Sequence, residues 1–154
     1  MNIIKNLNQY NSNDIHFCEP IKNNIMLNGN FIRILYSTTY FTMNGIYLYV
    51  PLLETTIEKY YQKYKCSFDI INNIGVLEQI SNIEHTLLEK IKYYMKNKSP
   101  SYKINEQLNQ GSFKLFATGL IKQQKASFLL KISGIWENES SYGITYKFTR
   151  IDSI

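Results

Sequence analysis

Cysteine is nearly absent from this chain. Cys18 and Cys66 are the only two, too few for a disulfide framework and without the spacing of a metal site, so reduced thiols in an intracellular setting are expected. Alanine is rarer than in most globular chains, at Ala117 and Ala126 alone, while Asn, Ile, Lys and Tyr abound. All four are read from A/T-rich codons, which points to an A/T-rich genome. No apolar run approaches the roughly 18 residues needed to span a bilayer, so no membrane partner is expected. The start, Met1-Asn-Ile-Ile-Lys-Asn6, lacks the charged-then-apolar pattern of a signal peptide. A cytosolic or nuclear place follows, or delivery inside a particle.

Catalytic groups are equally scarce. His16 and Cys18 lie two apart and would share a strand face, but nothing suggests an orienting third group or an oxyanion site. His85 sits in a polar stretch beside Glu84, and Glu137 and Glu139 bracket Asn138 in a solvated loop. Gly29, Gly45, Gly111, Gly119 and Gly134 are scattered and match no phosphate-binding loop. The expectation is a protein that is not an enzyme, with no catalytic residue, metal ligand or cofactor.

What the chain does have is an uneven positive charge. The net charge is +5, yet residues 1–85 balance at −1 and residues 86–154 at +6. That basic half ends in three runs that alternate apolar with polar side chains: Phe113 to Thr118, Ser127 to Trp136 and Tyr142 to Ile151. Period-two alternation places the two sets on opposite faces of a sheet, one packed and one wet. The wet face would carry Lys114, Lys131 and Lys147 on neighbouring strands, with Arg150 close by. A solvated Lys-rich surface would share this composition. A basic sheet face dotted with aromatics also suits a polyanion with stackable bases.

The rest of the order is legible in outline. Residues 1–14 are Asn-rich and read as a loose arm, and 15–154 as one domain. Ile15 to Phe17 and Asn24 to Leu27 suit short edge strands. Phe31 to Phe41 and Ile46 to Val50 flank Asn44-Gly45, a dipeptide able to adopt the positive φ of a tight hairpin turn. Thr56 to Tyr64 admits a short helix, and Tyr64 to Ile70 a third strand. A long helix is predicted over 76–97, where Val76, Leu77, Ile80, Ile83, Leu87, Leu88, Ile91, Tyr94 and Met95 make one stripe. Ser81 and Glu84 match a capping box, which sets a start or restart near Ser81.

Hairpin, third strand, long helix and two or three further strands is a mainly β succession with one long helix. It is the order of an OB-fold: a five-stranded Greek-key barrel with a helix between strands 3 and 4. On that fold Ile46, Leu48, Val50, Phe113, Leu115, Leu130, Ile132, Ile144, Tyr146 and Phe148 should be buried, with Leu87, Leu88 and Ile91.

Several pieces carry a likeness. Phe31-Ile-Arg-Ile-Leu-Tyr-Ser37, Asn44-Gly-Ile-Tyr-Leu48, Ile83-Glu-His-Thr-Leu-Leu-Glu89, Leu130-Lys-Ile-Ser-Gly-Ile-Trp-Glu137 and Gly143-Ile-Thr-Tyr-Lys-Phe148 resemble small proteins of giant DNA viruses. These look like the OB-fold single-stranded DNA-binding proteins related to those of podophages. The likeness spans residues 15–151, with the last two pieces the most specific. It implies single-stranded DNA as partner, work in viral replication, recombination or packaging, and a place in a viral factory, the nucleus or the virion. Replicative members often end in an acidic tail that recruits polymerase. Residues 150–154 hold one acid, a departure that puts tail-mediated recruitment in doubt or else points to packaging or another DNA transaction; replication proteins or a second copy of the chain stand as further partners.

The residues assigned to nucleic acid are Lys114, Lys131, Lys147 and Arg150 for phosphates, and Tyr47, Tyr49, Tyr36 and Trp136 for stacking. Tyr47 and Tyr49 alternate opposite Ile46, Leu48 and Val50, and Tyr36 shares a face with Tyr40, away from Arg33. Burial as structural aromatics is the competing role for the tyrosines, and core or rim packing for Trp136. The alternative function is a structural or assembly protein, such as a minor virion component or scaffold, whose basic, aromatic face meets another protein or a second copy of itself.

Overall fold

The computed structural model describes residues 3–22, 29–61, 63–116 and 127–151. In chain order the strands before the long helix are β1 (Ile4–Asn6), β2 (Ile15–Phe17), β3 (Ile21–Lys22), β4 (Asn30–Ser37), β5 (Thr42–Asn44), β6 (Ile46–Val50), β7 (Thr56–Tyr60) and β8 (Lys63–Ser67). Helix α1 (Ile74–Ile91) follows, then β9 (Ser99–Ser101), the short helix α2 (Lys103–Asn109), β10 (Ser112–Phe116), β11 (Ser127–Glu137) and β12 (Ser141–Ile151). The protein is mainly β with one long helix, as expected. Among the described residues, however, the twelve strands form an open sheet with the path β1-β6-β11-β12-β10-β8-β7, not a five-stranded barrel. The helix falls between β8 and β10. No described helix is long and apolar enough to cross a membrane.

Over their described residues, 113–116, 127–136 and 142–151, the three tail runs are strands whose alternation holds except at a bulge at Ser133; the part of the first run over 117–118 lies outside the described residues. On β11 and β12 the in-facing Phe128, Leu130, Ile132, Ile144 and Phe148 are buried. They share one core with Phe113 and Leu115 of β10, Ile46, Leu48 and Val50 of β6, and Leu87, Leu88 and Ile91 of α1. Tyr146 alone among the expected core residues is only half-buried. Burying this much apolar area supplies most of the drive to fold.

The hairpin differs from its expectation. β4 does not pair with β6. It turns back through residues 38–41 onto β5, and both β4 and β6 pair with successive stretches of β11. Gly45 makes the corner between β5 and β6. Its φ is +86°, and a Cβ there would lie 2.7 Å from the Ile132 carbonyl oxygen. Glycine is therefore needed, for a corner and a close approach rather than a two-residue turn. The eleven-residue β11 offers more pairing than a local hairpin could, and it captures both strands.

Three further expectations are corrected. Residues 3–14 are not a loose arm: β1 pairs in parallel with β6, and Leu7 is 8% exposed in the core. The apolar Leu7 and the open edge of β6 outweigh the polar composition around them. Thr56–Tyr60 is a strand, not a helix, because it pairs antiparallel with β8. Ser81 caps nothing, lying inside α1, and Tyr94 is exposed beyond the helix end. The strand expected over 24–27 lies outside the described residues.

Glu84 serves a different helix from the one its spacing suggested. Fully buried, it accepts the backbone N–H groups of Ile104 and Asn105, both at 2.9 Å, and so caps the first turn of α2. Unsatisfied N–H groups at a helix start favour an anion. Desolvation nevertheless holds the Glu84 carboxyl above its ordinary range, and the two backbone hydrogen bonds only partly oppose it. This buried cap fixes α2 beside β10 and β12, where it forms one wall of the site below.

Candidate nucleic-acid interface

Register decides which side chains meet on the open face. Lys131 on β11 stands directly opposite Lys147 on β12. Lys131 is also opposite Tyr47 on β6, with its Nζ 5.4 Å from the ring centroid. β10 runs parallel to β12 with Leu115 beside Phe148, so Lys114 falls next to Lys147. Lys114 in turn faces Lys65 on β8. One cross-strand row therefore reads Lys65, Lys114, Lys147, Lys131, Tyr47, with four lysines on four adjacent strands spanning about 14 Å at the usual strand spacing. Among the described residues, none of these lysines is in an ion pair; the acid nearest in register is Glu58, opposite Lys65 at the sheet edge.

Aromatic and polar groups flank the row on the same face. Tyr49 lies two residues from Tyr47, opposite Leu129. Phe116, 46% exposed, sits beside Thr149, and the Lys114 Nζ lies 4.8 Å from its ring centroid. A bulge at Ser133 shifts the register of β11 by one, which returns Trp136 to the lysine face. Trp136 is opposite Gly143, where any Cβ would come within 2.7 Å of the indole; this glycine lets the indole lie against β12. Arg33 is opposite Gly134 and exposed, so it shares the lysine face.

Six of the eight residues assigned from sequence stand on this face: Lys114, Lys131, Lys147, Tyr47, Tyr49 and Trp136. Two do not. Tyr36 is 1% exposed, because β4 turns it inward with Ile32 and Ile34 between β2 and β5. Its ring instead receives the Lys5 ammonium at 5.3 Å. Arg150 is three residues from Lys147, an odd spacing, and lies opposite the buried Phe128 on the other face of β12. Lys65, Arg33 and Phe116 join the face unassigned. Period-two counting from Lys114 to Phe116 could have found the last. Lys65 and Arg33 depend on pairings across long stretches of chain.

The other polar candidates stay apart. His85 is exposed, with its ring 4.2 Å from that of Tyr102, and His16 is exposed on β2. Burial pushes the Cys66 thiol up to about 12, so it is no thiolate nucleophile at neutral pH. No group of three or more His, Cys, Asp or Glu residues among the described residues could hold a metal ion. Glu137 is tied to Lys98 at 2.7 Å and to Asn30 at 2.8 Å. Its burial works to raise the carboxyl, but those partners outweigh it and hold the group below its ordinary range.

Fold and site together define a mainly β protein whose open sheet presents one basic, aromatic-flanked face. Compared with protein families, with curated proteins and with solved structures, the chain matches none.

Proposed function

We propose that the protein binds single-stranded DNA without strict sequence preference, on the face that carries the lysine row. The observation that carries this reading is the row itself. Like charges directly opposite one another on paired strands destabilise a sheet, so four adjacent lysines with no intervening acid are a cost that the fold alone does not repay. A bound polyanion offsets it: each phosphate bound by a lysine releases condensed counterions, and base stacking on Tyr47, Tyr49, Phe116 or Trp136 adds about 1–3 kcal/mol per base.

The OB-fold and viral assignments belong to the same proposal. Supporting the first is the central path β6-β11-β12-β10-β8, five strands joined out of chain order, as in a partly open Greek-key barrel. Supporting the second are the sequence pieces quoted above. Replication, recombination and packaging all expose single strands that such a face would cover.

The assembly reading, in which the same basic, aromatic face meets a protein, has a second surface in its favour. Leu53, Ile71 and Ile74 are exposed around the buried Asn73, which bonds both Leu53 and Asp69, and an apolar patch there suits a protein contact. Titrating fluorescent oligo-dT at two salt concentrations separates the readings. Binding that weakens steeply with salt supports the first; no binding at low salt leaves the assembly role.

A further inference from the structure

One edge of β12 is covered in two places and bare between them. β9 pairs with residues 141–143 and β10 with Phe148 and Thr149, Lys114 lying next to Lys147, so among the described residues 144–146 have no strand on that side. A groove of about 390 Å³ fills the gap, within the roughly 300–1,000 Å³ typical of small-ligand sites. Trp136, Lys114 and Lys147 line it from the sheet, and Lys103 and Gln107 from α2.

The polarity of this groove is set by one hydrogen bond. The Tyr146 hydroxyl donates to Gln107 Oε1 at 2.7 Å. Burial pushes that hydroxyl up to about 12, so it keeps its proton at neutral pH and remains a donor. This bond takes one lone pair of Oε1 and fixes the amide, so that Gln107 has its Nε2 amino group to donate to a ligand. Lysine ammonium groups only donate. The Gln107 amino group and the lysine ammonium groups are thus the donors of the groove, set beside an indole ring. Their complement is an anion joined to a flat ring that presents acceptors. A phosphate with a carbonyl-bearing base has that form. Adenine offers ring-nitrogen acceptors but no carbonyl oxygen, and its amino group would face the Gln107 Nε2 and ammonium donors.

We propose that this groove is a one-nucleotide subsite of the DNA-binding face, and that Gln107, oriented by Tyr146, makes it favour a base bearing a carbonyl oxygen over adenine. The inference rests on the single-stranded DNA reading and adds a preference to it.

Trp136 is the only tryptophan, so its fluorescence reports on the groove. The test measures affinity for labelled oligo-dT and oligo-dA by anisotropy, with tryptophan emission alongside, for the wild type, Tyr146→Phe and Gln107→Leu. Self-stacking of oligo-dA weakens its binding to every variant alike, so the readout is the change in the dT/dA affinity ratio. Saturating oligo-dT should quench Trp136 in the wild type. Each substitution should lower the ratio about fivefold, the effect of one hydrogen bond, with oligo-dA affinity nearly unchanged. Gln107→Leu, on α2, keeps the test decisive if Tyr146→Phe folds poorly. Retained binding with an unchanged ratio in a folded variant, or unmoved Trp136 emission at saturation, overturns the subsite and leaves the DNA-binding reading intact. Absence of any binding by anisotropy overturns both.

Discussion

Along β11, Leu130 is enclosed in the core while Lys131, one residue on, stands on the open face beside Tyr47. Along β12, Phe148 and Lys147 repeat the contrast, and along β10 so do Leu115 and Lys114. The inner face is explained by folding: its side chains are apolar and mutually buried. The outer face is not, because Lys131 and Lys147 are aligned directly against each other. A sheet that needed only to be soluble would gain by alternating charges there. The difference separates what the strands need for stability from what they carry for a partner.

Substitutions on the two faces should therefore act on different observables. The largest effect belongs inside: Ile132→Ala or Leu88→Ala should lower unfolding free energy by about 2–5 kcal/mol in a denaturant titration, the range for large-to-small core changes. Gly143→Ala sits at the seam, where a methyl must displace the Trp136 indole or the Ser101 carbonyl. It should cost about 1–3 kcal/mol, as overpacking does, and shift tryptophan emission. Tyr47→Ala should leave stability nearly alone but weaken oligo-dT binding by about 1–3 kcal/mol, with little change in salt dependence. Lys147→Thr should do the reverse of a core change and raise stability by about 0.2–1 kcal/mol, by relieving its pairing with Lys131.

The two buried glutamates sharpen the picture of what holds the inner side. The folded protein keeps Glu137 below its unfolded value, so its contribution is present above the unfolded pKa and lost as pH falls through the folded one. Glu137→Gln should flatten that acid loss. Glu84 is held above its unfolded value, so its contribution is full below the unfolded pKa and lost as pH rises through the folded one. Relative to Glu84→Gln, the wild type should gain stability on acidification from neutral pH. Unfolding curves across that interval check both signs.

Legibility followed locality. β11 and β12 could be read because each has one buried face, and alternation then determines the side chains on either side of the Ser133 bulge, which counting does not reveal. The same counting placed Lys114, Lys131 and Lys147 on one face, as it placed Tyr47 and Tyr49. It also excluded Arg150, whose odd spacing from Lys147 conflicted with its grouping as a neighbour. Tyr36 was misplaced because β4 packs against β2 and β5 beyond its stretch on β11, and that switch of partners leaves no local trace. Asn44-Gly45 has the chemistry of a turn, yet a long-range partner overrode it. Glu84 was noticed for the right chemistry, capping, but a helix twenty residues away takes the benefit. Lys65 could not be assigned without knowing that β8 reaches β10 across the whole of α1.

The central claim is that the lysine row binds phosphates. Its most direct test is the dependence of log affinity on log salt for oligo-dT, compared between the wild type and a Lys131→Glu, Lys147→Glu double variant whose folding is verified by its unfolding curve. The slope should become shallower by roughly 0.7 for each phosphate that the variant no longer binds, about 1.4 when both lysines are replaced, and binding should weaken for every sequence alike. An unchanged slope and affinity in the folded variant would contradict the account.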